Sequence, residues 1–166
     1  MGAEKFSGDR FRIVSGGQTG VDRAALDAAL ASGVACGGWC PAGGWAEDGP
    51  IPERYPLREA PSADPAVRTG LNVRDSDATL VLCVEDAAGG TASTIEHAEA
   101  LGRPLLVLDP AESDALGAAH AWIYRHSVQT LNVAGPRASE APELYAAAYL
   151  FVLALLSPGL DPEAGT

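Results

Sequence analysis

Apolar positions along this chain fall into two rhythms. Short continuous apolar runs at residues 11–15, 34–39, 78–84, 104–108 and 130–134 predict strands, and alanine- and leucine-rich stretches at 24–31, 95–101 and 143–156 keep helical spacing. The runs Ala78-Thr79-Leu80-Val81-Leu82-Cys83-Val84 and Leu105-Leu106-Val107-Leu108 do not alternate with polar residues, the pattern of strands covered on both faces. Such strands alternating with helices predict an α/β domain in three layers, a mainly parallel sheet flanked by helices. Punctuation agrees: Gly102 and Pro104 close the helix that begins near Thr94, and Ser139 with Pro142 precedes the last one.

That last helix changes the picture. Residues 144–156 are apolar around the whole circumference, yet thirteen residues cannot cross a bilayer core that takes about twenty. A helix without a polar face is buried all round, by the sheet on one side and, on this reading, by a second subunit on the other. The expectation is a homo-oligomer formed through residues 142–156, with no membrane span. No repeat or long linker divides the chain, so 10–157 reads as one domain, with 1–9 and 158–166 as flexible tails.

Composition narrows the partners. The chain has 166 residues, 47% of them hydrophobic, which is enough for one domain with its own core. A net charge of -11 opposes binding to nucleic acid or to an anionic membrane surface, both of which rest on Lys and Arg. No basic-then-apolar leader is visible, and the expected location is the cytoplasm. Cys36, Cys40 and Cys83 lack the spacing of a zinc or redox pair and read as free buried thiols. His97, His120 and His126 are scattered without ligand spacing, and no metal site is expected.

The candidate chemistry lies where strands break into glycine. Ser15-Gly16-Gly17-Gln18-Thr19-Gly20-Val21-Asp22-Arg23 stands between the first strand and a helix, and Gly89-Gly90-Thr91-Ala92-Ser93-Thr94 repeats the device after residues 78–84. A strand that opens into a helix through glycines aims bare N–H groups and a helix N-terminus at one spot, which suits a phosphate. In a parallel sheet, ligands bind outside the carboxyl ends of the strands. The segments 16–20, 40–48, 85–94, 109–110 and 135–139 are expected to gather there. Trp45, in the long segment 41–52, reads either as a cover for a flat ring or as a lid packed on its own domain. Glu47 and Asp48 share that loop, whereas Asp75 and Asp77 precede a strand and belong to the opposite end of the sheet.

Two common nucleotide sites are excluded by spacing. Gly16 to Gly20 is not Gly-x-Gly-x-x-Gly, and the second strand ends in Cys36-Gly37-Gly38-Trp39-Cys40 without an acid to hold a ribose. No Lys-Ser or Lys-Thr follows either glycine cluster, so there is no Walker loop.

Taken together, several segments resemble one family. They are Gly16-Gly17-Gln18-Thr19-Gly20-Val21-Asp22-Arg23, Ala46-Glu47-Asp48-Gly49-Pro50-Ile51-Pro52, Arg68-Thr69 with Asn72-Val73, Ser76-Asp77-Ala78-Thr79, Gly89-Gly90-Thr91 with Thr94, and Leu131-Asn132-Val133-Ala134-Gly135-Pro136-Arg137. The resemblance is to the molybdenum carrier family, the circularly permuted YpsA-type members of the SLOG superfamily, and it runs from about residue 11 to 156. It implies a Rossmann-like fold and a pocket for a phosphorylated heterocycle: molybdenum cofactor (molybdopterin) in the carriers, nucleotides in the wider superfamily. Carried over by motif, Gly16, Gly17, Gln18, Thr19 and Gly20 with Gly89, Gly90, Thr91 and Thr94 hold phosphate or sugar. Arg68, Asn72 and Arg137 add charge-assisted contacts, and Asp48 is a further candidate.

The superfamily also holds phosphoribohydrolases marked by Gly-Gly-x-Gly-Thr-x-x-Glu. This chain has Gly89-Gly90-Thr91-Ala92-Ser93-Thr94-Ile95-Glu96, which keeps the glutamate but departs at Ala92 and Ser93. The resemblance implies a noncatalytic carrier first. An N-glycosidase acting on nucleoside monophosphates through Glu96 is the alternative, and a ligand sensor acting through its oligomer interface is a third reading.

Overall fold

The computed structural model describes residues 11–157; the readings made for 1–9 and 158–166 lie outside them. Among the described residues nine strands run in chain order: β1 (Arg12–Val14), β2 (Ala35–Gly37), β3 (Trp39–Cys40), β4 (Trp45–Ala46), β5 (Gly49–Pro50), β6 (Arg58–Glu59), β7 (Ala78–Leu82), β8 (Leu105–Leu108) and β9 (Thr130–Ala134). The helices are α1 (Val21–Ser32), α2 (Pro65–Arg74), α3 (Gly89–Ala100), α4 (Ala115–Arg125) and α5 (Leu144–Leu156). The main sheet has the order β2-β1-β9-β7-β8, with every neighbouring pair parallel. Helix α5 packs along α1 and against α4, while α2 packs along α3. This is a three-layer, Rossmann-like α/β fold.

Local chemistry explains the boundaries. Helix α1 closes at Gly33, whose left-handed backbone returns its N–H to the carbonyls of Ala29 and Leu30. Helix α2 starts at Asp64, whose side chain accepts from the N–H of Ala66, with Pro65 in the first position where it fits without strain. The run 34–39 does not continue as one strand. Gly38 adopts φ 131, and the chain then leaves the main sheet so that β3 pairs with β6. The run 78–84 stops at Leu82, and Val84 emerges 62% exposed.

The strands differ in their cover. All five residues of β7 are buried, as its unbroken apolar run predicts. The equally apolar β8 is the edge of the sheet instead, and its Val107 is 44% exposed. An edge position leaves one side of a strand without a neighbour, and sequence does not report which strand takes it.

One continuous apolar cluster joins the layers, including Phe11, Ile13, Leu26, Leu80, Leu82, Ile123, Leu131 and Leu155. The last helix finds most of its cover inside its own chain. Leu144, Ala148, Phe151, Val152, Leu155 and Leu156 are buried, while Leu150 stands exposed. The histidines knit elements together. His120 Nε2 meets the carbonyl of Leu155 at 3.0 Å, the His97 ring lies against Gly70 where α3 approaches α2, and His126 meets the edge of Trp122. All three cysteines are free and buried, and burial pushes each thiol pKa up. Among the described residues no helix is long and apolar enough to cross a membrane.

Candidate functional site

The carboxyl ends of β1, β7 and β9 open onto one cleft of about 230 Å³. Its walls come from four places: Gly16, Gln18 and Asp22 after β1; Arg68, Thr69 and Asn72 on α2; Gly89, Gly90, Thr91 and Thr94 at the start of α3; and Asn132, Ala134, Gly135, Arg137 and Glu140 from β9 onward. The two glycine turns therefore border the same space. The second is less a loop than a helix start, since α3 begins at Gly89 itself. Neither α1 nor α3 has a side-chain cap. The N–H groups of Val21 and Arg23 already donate to the carbonyls of Pro136 and Gln18, however, and Asp22 stands in the first turn of α1. It is therefore the start of α3, at Gly89 and Gly90, that faces the cleft.

Each predicted residue has a definite place. Gln18 spends its amide oxygen on the N–H groups of Thr19 and Glu47, at 3.0 Å each, and so ties the first turn to the long loop. Asn72 is buried and engaged by Trp39, whose N–H and carbonyl it meets at 2.8 and 3.0 Å. Thr94 returns its hydroxyl to the carbonyl of Gly90 at 3.0 Å. These side chains shape the wall.

Arg68 differs. It is only 9% exposed, and Nη1 donates to the carbonyl of Gly16 at 2.8 Å while Nε reaches Thr69 at 3.4 Å. None of the ion pairs among the described residues involves it. Buried charges are ordinarily paired, so a cleft-lining guanidinium that closes no ion pair invites an anion. Arg137 is more exposed and already engaged, with Glu140 at 2.9 Å and Glu47 at 3.6 Å.

Other predicted residues stand outside the cleft walls. Gly17 lies under Leu57 and Ile51, and Gly20 is pressed against the carbonyl of Pro136. The Thr19 hydroxyl donates to Glu47 and accepts from the N–H of Ala138 at 3.0 Å. Asp48 forms a two-pronged pair with Arg23 at 2.5 and 2.8 Å, which holds its carboxyl pKa low. Glu96 is exposed on α3 and does not line the cleft. Trp45 is 59% exposed, neither over the cleft nor packed as a lid. Asp77 serves the opposite end of the sheet, accepting from the N–H groups of Gln129 and Thr130 at 2.9 Å.

Of the segments expected at the rim, 40–48 and 109–110 contribute nothing to the walls, and α2 contributes instead. Sequence reasoning also passed over Asp22, Asn132 and Glu140. The signals were an acid in the first turn of α1 and an amide inside the apolar β9. Asp22 is 7% exposed, and burial pushes its carboxyl pKa up to about 6, against the pull of Arg68. No cluster of His, Cys, Asp and Glu among the described residues suits a metal ion.

A parallel sheet with glycine turns, the start of α3 and a buried arginine around one cleft defines a Rossmann-like small-ligand binding domain. The chain belongs to the circularly permutated YpsA SLOG family, which it matches over residues 13–156. It is also similar to a protein of known crystal structure from Syntrophus aciditrophicus SB, named "Putative molybdenum carrier protein". The identity is 43%, the alignment covers 89% of this chain and 96% of that one, and the TM-score is 0.86. No curated protein matches the chain.

Proposed function

We propose that this protein is a noncatalytic carrier that holds a phosphorylated ligand, molybdenum cofactor or a nucleotide-like molecule, by its acidic end. The single observation behind this reading is Arg68, a buried guanidinium between two glycine turns that faces Asp22 but closes no ion pair. The name of the similar Syntrophus protein supports the choice of molybdenum cofactor. Size supports the orientation: pockets that enclose a whole drug-sized ligand run from about 300 Å³ upward. A cleft of about 230 Å³ suits a phosphate and its nearest atoms, leaving the ring system toward solvent. Arg68, Arg137 and the N–H groups of the two turns would hold the phosphate, while Gln18, Asn72, Thr91 and Thr94 keep the wall in shape. Hydrolysis through Glu96 gains no support from a side chain that stands away from the cleft.

The same reading takes residues 10–157 as one binding domain working in the cytoplasm. It also takes the exposed Leu150 and the stacked Tyr145–Tyr149 pair of α5 as the contact with a second copy. Purifying the protein without oxygen and identifying what copurifies by mass spectrometry tests the ligand. Recovery of molybdopterin or a nucleotide in stoichiometric amount is expected. An empty protein that also binds neither molecule when supplied would overturn the reading.

A further inference from the structure

Anion capture leaves one residue of the cleft unexplained. Asp22 presents a carboxylate to a space that Arg68 and the start of α3 make attractive to anions. Its Oδ2 accepts a long bond, 3.3 Å, from the N–H of Gln18, and the Ser15 hydroxyl and the Gly16 N–H also act on the carboxylate. That oxygen and Arg68 Nη1 each lie 2.9 Å from the point where a β-carbon on Gly16 would stand, yet the two side chains do not close into an ion pair. The glycine keeps this gap open between a buried acid and a buried base. Both side chains line the one cleft, so an oxyanion held there by Arg68 meets Asp22 as well, and two negative groups in a small cleft repel unless a proton lies between them.

We propose that Asp22 is a specificity-determining residue that shares one proton with the bound group. The cleft then takes a tetrahedral oxyanion that brings its own proton, as hydrogen phosphate does, and refuses sulfate, which has none near neutral pH. The inference rests on the reading of the cleft as an anion site and adds which anion it accepts.

The charged surroundings are few. Arg68 on α2 faces Asp22, and Arg137 and Glu140 line the cleft after β9 as a mutual pair. On α1 itself, Arg23 is held by Asp48. The α3 wall and the β9 floor contribute Gly89, Gly90, Thr91, Thr94 and Asn132, none of them charged. The proton on Asp22 is thus governed mainly by burial and Arg68.

Titration calorimetry with inorganic phosphate and with sulfate at constant ionic strength tests the proposal on the wild type and on Asp22→Asn. At about pH 8 the wild type is expected to bind phosphate at least about tenfold more tightly than sulfate. Sulfate needs the proton from Asp22, so its binding recovers on the order of 100-fold at about pH 5.5, tenfold for each unit above a pKa near 6. In Asp22→Asn the amide donates to either anion. The preference then falls to within about threefold, and sulfate binding at about pH 8 rises, a gain that an unfolded variant cannot produce. Sulfate that binds as well as phosphate at about pH 8, or equally at both pH values, overturns the proposal and leaves an anion site standing. Loss of all binding in Asp22→Asn also overturns it. If neither anion binds the wild type at either pH, the anion-site reading falls and takes this inference with it.

Discussion

The guanidinium of Arg68 donates to the carbonyl of Gly16 at 2.8 Å across 52 residues of chain, joining the second helix to the first glycine turn. The bond orients the arginine along the cleft, where it faces Asp22 without closing an ion pair. Arg68→Ala is expected to weaken binding of phosphate or molybdopterin by about 10- to 100-fold, the range for a lost hydrogen bond to a charged group. Arg68→Lys keeps the charge but not the fork, and falls between the two. Calorimetry measures the affinity, and circular dichroism verifies the fold.

Asp22 sets a pH dependence of stability. Its carboxyl pKa is raised from 3.8 to about 6, so the folded chain holds the proton more tightly than the unfolded chain. The stability this gives is full below about pH 4 and is lost as pH rises through about 6. Asp22→Asn escapes the loss. Urea unfolding is expected to show the variant more stable than wild type by about 2 to 3 kcal/mol at pH 7.5, with the difference gone near pH 4.

The glycines of the two turns answer differently to a methyl group. Gly20 has φ 80, and a β-carbon there would overlap the carbonyl oxygen of Pro136, so Gly20→Ala is expected to cost about 3 kcal/mol in denaturant unfolding. Gly90 has nothing within 4 Å of the same position. Gly90→Ala is expected to leave stability within about 0.5 kcal/mol while placing a methyl group at the cleft wall.

Glu47 clasps the long loop to the segment after β9. It accepts from the N–H and the hydroxyl of Ser139 at 3.0 and 2.6 Å and from Thr19, and these bonds lower its carboxyl pKa. A lowered carboxylate stabilises above its unfolded pKa, and the benefit fades as pH falls through the folded value. Hydrogen exchange at the Ser139 amide is expected to lose protection on acidification into that range, and Glu47→Gln should show the looser state already at neutral pH.

Glu96→Gln is expected to change neither ligand affinity nor turnover, because the side chain stands outside the cleft. Incubation with nucleoside monophosphates, followed by chromatography for free base, measures this. Release of base that disappears in Glu96→Gln would restore the hydrolase reading.

Much of the fold was legible because burial writes itself into short-range pattern. The apolar runs placed all five main strands, with β9 matching residue for residue, and the glycine turns marked where strands hand over to helices. Helix α2 escaped, although Asp64-Pro65 is a helix start, because only Val73 among its apolar residues is buried and its inward face carries Arg68, Thr69 and Asn72 instead. A helix that lines a cleft with polar groups has no apolar stripe to announce it. That α1 and α4 lie along the apolar α5 was not legible either, because its own sequence shows only the want of a polar face.

The sequence by itself determined which segments become strands and helices and where backbone N–H groups are bared, since these follow from side-chain spacing and from glycine. Tertiary structure alone decided that β9 inserts between β1 and β7, that β8 takes the edge, and that Arg68 and Asp22 face each other across Gly16 without touching. The physical reason is distance along the chain. A residue's own neighbours fix its conformation, but its charge is felt by whatever the sheet order brings beside it, and that order is chosen by the packing of the whole core.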